Sequence, residues 1–433
     1  MGKRLFFVCL LVQLLSTPSF VRAAETDSVC VECHSRVTPS VVEDWRQSSH
    51  AGNSVSCSAC HGDKHSRADD HAKADLPGPD TCAACHQKQF EQYSKGKHAK
   101  AWAAMKAMPT LHWQPMGMVE GMKGCGGCHK VGLKTPEEAR QLKAQGERAV
   151  TACDSCHTRH TFSVREASQP QSCQTCHMGF DHAQWEMYSS SKHGVRFALK
   201  QSSVLPAGAS APSCQTCHMP EGGHDNRTAW GFLGLRLPMP DHKEWARDRT
   251  EILKALGVLD PQGKRAERFE AVKKADICRL TKDDFKAERE KMAQNCARCH
   301  SAGFVKHELD KGDQLIRHAD RLMAEAIREV AGLYRDGLLR KPGHYPHAYP
   351  DLLAFHDAPT PIEQRLFLMF MEHRMRVFQG AFHSNPDYTF WYGWSEMVRD
   401  LTEIRAMAQE LRRDGPKKPV DVPLLKKKKG HAH

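Results

Sequence analysis

The stretch that decides the fold is TACDSCHTRHTFSVREASQPQSCQTCHMGFDH, residues 151–182. It holds two Cys-x-x-Cys-His motifs, Cys153/Cys156/His157 and Cys173/Cys176/His177, separated by turn-forming Ser, Gln and Pro. Two residues between the cysteines place both thiols on one turn. The adjacent His can then swing beneath a metal carried by whatever the thiols hold. That is the attachment signature of a c-type heme: two thioethers to the vinyl groups and a proximal His on the iron.

Six further motifs flank this stretch. They are Cys30/Cys33/His34, Cys57/Cys60/His61, Cys82/Cys85/His86, Cys125/Cys128/His129, Cys214/Cys217/His218 and Cys296/Cys299/His300. Zinc would combine such pairs in fours and would not need a His at the next position every time. A disulfide across two intervening residues would be strained. Eight complete motifs predict eight covalently bound hemes c. Of the 18 cysteines, this leaves only Cys9, in the leading apolar segment, and Cys278, a lone thiol expected to be inert.

The bulk composition agrees. Hydrophobic residues make up 40% of 433 and mean hydropathy is -0.59, so the chain is polar for its size. Porphyrin plates would supply the missing apolar core. The formal charge is +11. Each heme brings two propionates that need Lys and Arg, so internal neutralisation is preferred to nucleic-acid binding.

Residues 1–24 read as a cleavable export signal. Lys3 and Arg4 precede an apolar run from Leu5 to Leu15, and small residues follow at Ala23 and Ala24. The run is too short for a membrane span. A periplasmic protein without a membrane anchor is expected, with the signal removed.

The expected fold is mainly α. A heme-packed core of short helices and loops occupies 25–300, a C-terminal bundle of long helices 301–415, and a basic tail 416–433. Leu315, Ile316, Leu322, Met323, Ile327 and Val330 recur at helical spacing. A second helix opens at Pro361, and a third runs from Trp391 to Leu411.

Nineteen of the 27 histidines lie outside the motifs. A weak repeat selects three of them as distal ligands. Trp45 precedes His50 by five, Tyr93 precedes His98, and Tyr188 precedes His193, each in a Ser- or Lys-rich turn. His65, His160 and His224 follow a motif closely and His112 precedes one, so they form a second group. His71, His242 and His307 are reserves. His182 stands apart because it adjoins Asp181. It is either half of an acid–base pair for proton-coupled chemistry or an axial ligand with Asp181 behind it.

Several stretches are similar to the octaheme hydroxylamine oxidoreductase family, which includes hydrazine dehydrogenases. They are KGCGGCHKVG at 123–132, CDSCHTRH at 153–160, CQTCHMGFDH at 173–182, YSSSKHG at 188–194, CHMPEGGHD at 217–225 and NPDYTFWYG at 385–393. The resemblance implies that the heme on Cys125, Cys128 and His129 is catalytic, with an open distal face below Asp181 and His182. The other seven would be bis-His. It implies a homotrimer in which a C-terminal Tyr of one subunit, Tyr388 or else Tyr392, crosslinks to the catalytic heme of the next.

The chain is shorter than the family's oxidising members, chiefly at the C-terminus. The implied activity is oxidation of a small inorganic nitrogen substrate, hydroxylamine or hydrazine. Electrons would pass to a partner cytochrome or a quinone-linked acceptor. The alternatives are reduction of nitrite or hydroxylamine to ammonia on the same fold, and a non-catalytic electron conduit.

Overall fold

The computed structural model describes residues 28–106, 125–144, 152–226, 237–266, 268–269, 281–341, 349–353 and 358–415. It is helical. The one β interaction among these residues is an isolated antiparallel bridge between Leu259 and Arg265. No described helix is long and apolar enough to cross a membrane. His112 and Cys278 lie outside the described residues.

The chain forms two compact units. One comprises the residues up to Asp75 with Arg159–Ser163, and the other comprises the rest. In the first, short helices such as Ser28–Val37, Pro39–Gln47 and Cys57–His61 follow one another. Val42 and Ala51 are its buried apolar residues among those described. Two such side chains cannot offset the conformational entropy of ordering the segment. Porphyrins at its two attachment motifs would add apolar mass to that core.

The second unit carries its own core. The Ala302–Arg335 helix starts at Ser301, whose Oγ accepts from Phe304 N at 3.3 Å. It packs on Lys243–Ala255 and on Ser395–Asp414. Met323, Ile327, Val330, Phe370, Met397 and Ile404 are fully buried between these elements. Burial of each stabilises the fold by about 2 kcal/mol.

The Pro361–Leu368 helix continues through a π-helical turn, Met369–Arg374, into Met375–Phe382. Gly312 lets Phe382 press against the long helix: a Cβ there would meet the ring at 2.7 Å. A charged cluster is sealed inside. Asp320 receives Arg249 and Trp245 on one oxygen, at 2.7–2.9 Å, and Arg374 on the other, at 2.8 and 3.1 Å.

Candidate heme centres and acid–base site

Two metal–imidazole bonds of about 2 Å, with about 1.1 Å from each nitrogen to its ring centre, put the centroids of trans histidines roughly 6 Å apart. The model shows this spacing repeatedly. In the first unit His34 faces His65 at 6.1 Å, and His61 faces His160 at 6.2 Å. In the second unit the pairs are His177–His98 at 5.9 Å, His157–His224 at 6.3 Å, His300–His193 at 6.0 Å and His218–His383 at 6.4 Å. Each pair contains one motif histidine. The residues therefore fit hemes held between two imidazoles.

The attachment motifs differ in their surroundings, although the sequence presents them alike. Cys30 and Cys33 lie on the Ser28–Val37 helix, Cys30 half-buried and Cys33 exposed. Cys57 and Cys60, both half-buried, lie on the Cys57–His61 helix, where Ser56 Oγ accepts Ala59 N at 3.2 Å. At the third site the backbone amides of Cys85 and His86 both donate to Cys82 O, at 3.2 and 2.8 Å, closing the motif as one turn. Cys85 and His86 are nonetheless exposed. A sulfur that bonds a vinyl carbon needs an open face, so exposure of Cys33 and Cys85 is compatible with attachment at a heme edge.

His86 stands at the head of the Gln87–Lys95 helix, on the surface, where His177 and His218 are half-buried. Among the described residues the facing geometry is present at six of the motif histidines. No group of three or more His, Cys, Asp or Glu among the described residues is placed to hold a bare metal ion. Facing another imidazole, six of the motif histidines fit as axial ligands, with a porphyrin to supply the other four nitrogens.

Five of the facing partners, His65, His98, His160, His193 and His224, are distal candidates of the sequence. The sixth, His383, is not among them. Its signal was present: Phe378 precedes it by five, the spacing of the Trp45, Tyr93 and Tyr188 repeat. A phenylalanine in place of Trp or Tyr, beyond the last motif, concealed it. His50 lies against Phe162 at 5.0 Å, edge to face. Among the reserves, His242 Nε2 is tied to Arg317 at 3.0 Å. His307 is exposed on the long helix and His71 is exposed in the first unit.

The local sequence explains how the distal histidines are aimed. Ser48 and Ser191 cap the turns carrying His50 and His193. The aromatic five residues earlier anchors each turn through its polar tip. Trp45 Nε1 donates to Val55 O at 3.2 Å, Tyr188 OH to Pro212 O at 2.8 Å, and Tyr93 OH to Val131 O. At four of the rings Nδ1 is occupied, leaving Nε2 for iron. His34 Nδ1 meets Thr38 Oγ1 at 2.7 Å, His61 meets Asp75 O at 3.2 Å, His129 meets Ala101 O at 2.9 Å and His383 meets Gln379 O at 2.7 Å.

At two of the motif histidines burial favours the neutral ring, the form that binds metal. Burial first, with His98, His182 and His218 nearby, pushes His177 down to about 3. Burial, then His383 and His98, push His218 down to about 4.

The cysteine sulfurs show which attachment sites are neighbours. Cys82 lies within hydrogen-bond reach of Cys153, Cys128 of Cys176, and Cys173 of Cys214. Cys156 adjoins Cys173 and Cys176, and Cys217 adjoins Cys296 and Cys299. As thioethers these sulfurs carry no proton, so the contacts mark adjacency alone. Within the second unit they order the sites third, fifth, sixth, seventh, eighth, with the fourth branching from the sixth.

Asp181 and His182 stand at that branch. Gly179, at φ +88°, turns the chain back after His177, and Glu186 Oε1 accepts Gly179 N at 2.9 Å. Phe180 packs on Phe367 of the bundle at 5.8 Å. In the turn so held, Asp181 Oδ1 and His182 Nδ1 are 2.8 Å apart, both partly exposed. Burial opposes ionisation of Asp181. The hydrogen bond and charge of His182, then the nearby His129, outweigh it and hold the carboxyl below its usual range. The charges of both residues reach His129. His182 also lies 6.1 Å from His177, at 72°.

Three residues after His129, Gly132 is required. A Cβ there would meet Trp102 N at 2.1 Å.

The two tyrosines share one patch. Tyr388, half-buried, stacks on Tyr392 at 5.0 Å. Tyr392, Phe390 and Trp391 are exposed on a second π-helical turn, Phe390–Trp394. Asn385 fixes the patch, accepting Tyr388 N at 3.2 Å and donating to Met187 O and Ser190 Oγ at 2.8 Å.

Comparison with known proteins agrees with this geometry. The family model described as seven times multi-haem cytochrome CxxCH matches residues 26–232 and 265–344. A probable nitrite reductase–hydroxylamine oxidoreductase fusion protein of Kuenenia stuttgartiensis is 26% identical over 89% of this chain. The chain spans about half, 51%, of that relative's length.

Two solved structures share the fold, each at TM-score 0.66. One, a reducing HAO-like protein complex of Kuenenia stuttgartiensis, is 24% identical and covers 89% of this chain and 85% of its own. The other, a hypothetical multiheme protein, is 19% identical and covers 90% and 96%. With its attachment motifs, facing imidazoles and matched family model, this chain belongs to the multi-haem CxxCH cytochromes.

Proposed function

We propose that this protein is a periplasmic octaheme oxidoreductase that oxidises hydroxylamine or hydrazine at the fourth attachment site, Cys125/Cys128/His129. The observation that carries the proposal is the Asp181–His182 pair, whose charges reach His129. A heme bound there supplies an open coordination position and a first acceptor for electrons. The chain supplies the proton chemistry.

Asp181, ionised, accepts the Nδ1 hydrogen of His182 and fixes that tautomer. His182 Nε2 then takes a proton from the N–H or O–H of the substrate, and Asp181 stabilises the resulting imidazolium. Partial exposure of the pair lets the proton pass to water. A heme at the sixth site, whose Cys176 lies within reach of Cys128, would carry the electrons toward a partner cytochrome or quinone-linked acceptor. A homotrimer with Tyr388, or else Tyr392, bonded to the neighbouring subunit's catalytic heme completes the proposal. The exposed aromatic patch around Tyr392 suits such an interface.

Reduction of nitrite or hydroxylamine to ammonia is the second reading, favoured by the reducing complex among the solved neighbours. The same pair would then deliver protons. The test is anaerobic mixing of the holoprotein with substrate. Heme reduction by hydroxylamine or hydrazine supports oxidation. Nitrite-driven reoxidation of pre-reduced protein, without the first reaction, supports reduction. Neither reaction would leave an electron conduit.

A further inference from the structure

His65, like His182, differs from the other histidines described above in what its Nδ1 meets. His34, His61, His129 and His383 meet neutral oxygens there. His65 Nδ1 meets a carboxylate oxygen, Asp70 Oδ1, at 2.8 Å. The carboxylate is built into the fold: Oδ1 also accepts Ser66 N at 3.1 Å and Arg67 N at 3.0 Å. Its other oxygen is 3.5 Å from Ser66 Oγ and 3.6 Å from Lys73 Nζ. The side chain is nearly buried, 8% exposed, so water screens it little.

A carboxylate drawing on the Nδ1 hydrogen makes an imidazole a stronger donor to iron and favours the ferric state. The second heme of the same unit has no such device at its proximal ligand, because His61 gives its Nδ1 hydrogen to a backbone carbonyl. Both sites lie in the same compact unit, with His34 within electrostatic reach of His160.

We propose that Asp70 holds the His34/His65 heme at a lower reduction potential than the His61/His160 heme, so that the first unit passes electrons from its first heme to its second. In that step the iron between His34 and His65 goes from ferrous to ferric. The iron between His61 and His160 gains the same electron, and no bond or proton moves. A strongly reducing one-electron donor would use this direction for entry. An oxidation at the fourth site would discharge its electrons elsewhere. The inference rests on the heme sites and not on the substrate proposed above.

The test is a redox titration of the full-length holoprotein, followed by optical and electron paramagnetic resonance spectra, for wild type and Asp70→Asn. Asn keeps the acceptor oxygen for the two backbone amides and removes the charge. One component should become easier to reduce by at least tenfold in its equilibrium constant, about 59 mV for one electron, with the others in place. No shift, or a common shift of all components, overturns the proposal. If Asp70→Asn loses a heme by intact mass, Lys73→Gln probes the same charge from a side chain 61% exposed. It should lower one component, and a titration unchanged from wild type overturns the proposal.

Discussion

The side-chain amide of Gln379 donates to the backbone carbonyl of Asp181 at 3.2 Å, across 198 positions of sequence. The backbone carbonyl of Gln379 meanwhile accepts from His383 Nδ1 at 2.7 Å. One buried residue of the Met375–Phe382 helix thus holds both the Asp181–His182 turn and His383, the ring that faces His218. Gln379→Ala should cost about 1 kcal/mol of stability and lower kcat about tenfold. The carbonyl that holds His383 survives, so the heme complement and low-spin spectrum should stay as they are. Unchanged steady-state kinetics would show that the tether is dispensable.

His383→Ala should open the iron held by His218. Electron paramagnetic resonance should show a new high-spin ferric signal while intact mass still reports eight hemes. A spectrum without that signal would assign the distal position at His218 to another residue.

Asp181→Asn and His182→Gln should each lower turnover about 100-fold, the lower end of what positioned acid–base groups contribute. The heme count should not change. His182 lies near His177 as well as beside Asp181, so the spin state of His182→Ala separates the two roles. A base leaves the bis-His signals intact, whereas an axial ligand adds a high-spin one.

Tyr388→Phe tests the crosslink. Wild type should run as a covalent trimer on denaturing, reducing electrophoresis and the variant as a monomer. Trimer loss only in Tyr392→Phe would move the bond to its stacked neighbour. A wild-type monomer band would remove the crosslink and favour the reductive reading.

Asp320 should govern acid stability of the bundle. Its burial opposes charge, but Arg249 and Arg374 outweigh this and lower its pKa in the fold. A depressed carboxyl stabilises the fold fully above its unfolded value, about 3.9. That contribution is lost as pH falls through the lower, folded value. Circular dichroism melts should hold steady from pH 7 to 5 and weaken below pH 4. Asp320→Asn strands two buried guanidinium groups and should cost about 3–5 kcal/mol at pH 7.

The sequence by itself determined the attachment chemistry, because a CxxCH motif is local: two thiols and a proximal His on one turn are fixed by spacing alone. Helical periodicity likewise foretold the long helices that the model shows at Ala302–Arg335, Pro361–Leu368 and Ser395–Asp414. Asp181 and His182 were legible because they adjoin in sequence.

The distal pairings were not local. His383 meets His218, and His98 meets His177, only because the fold brings remote segments to opposite sides of one gap. The surface position of Cys33, Cys85 and His86 against the half-buried His218 was equally invisible in motifs that read alike. The branching of the fourth site from the sixth, the Gln379 tether and the Asp320 cluster have the same origin. Each depends on through-space contacts between remote residues, and no periodicity along the chain encodes a distance across it.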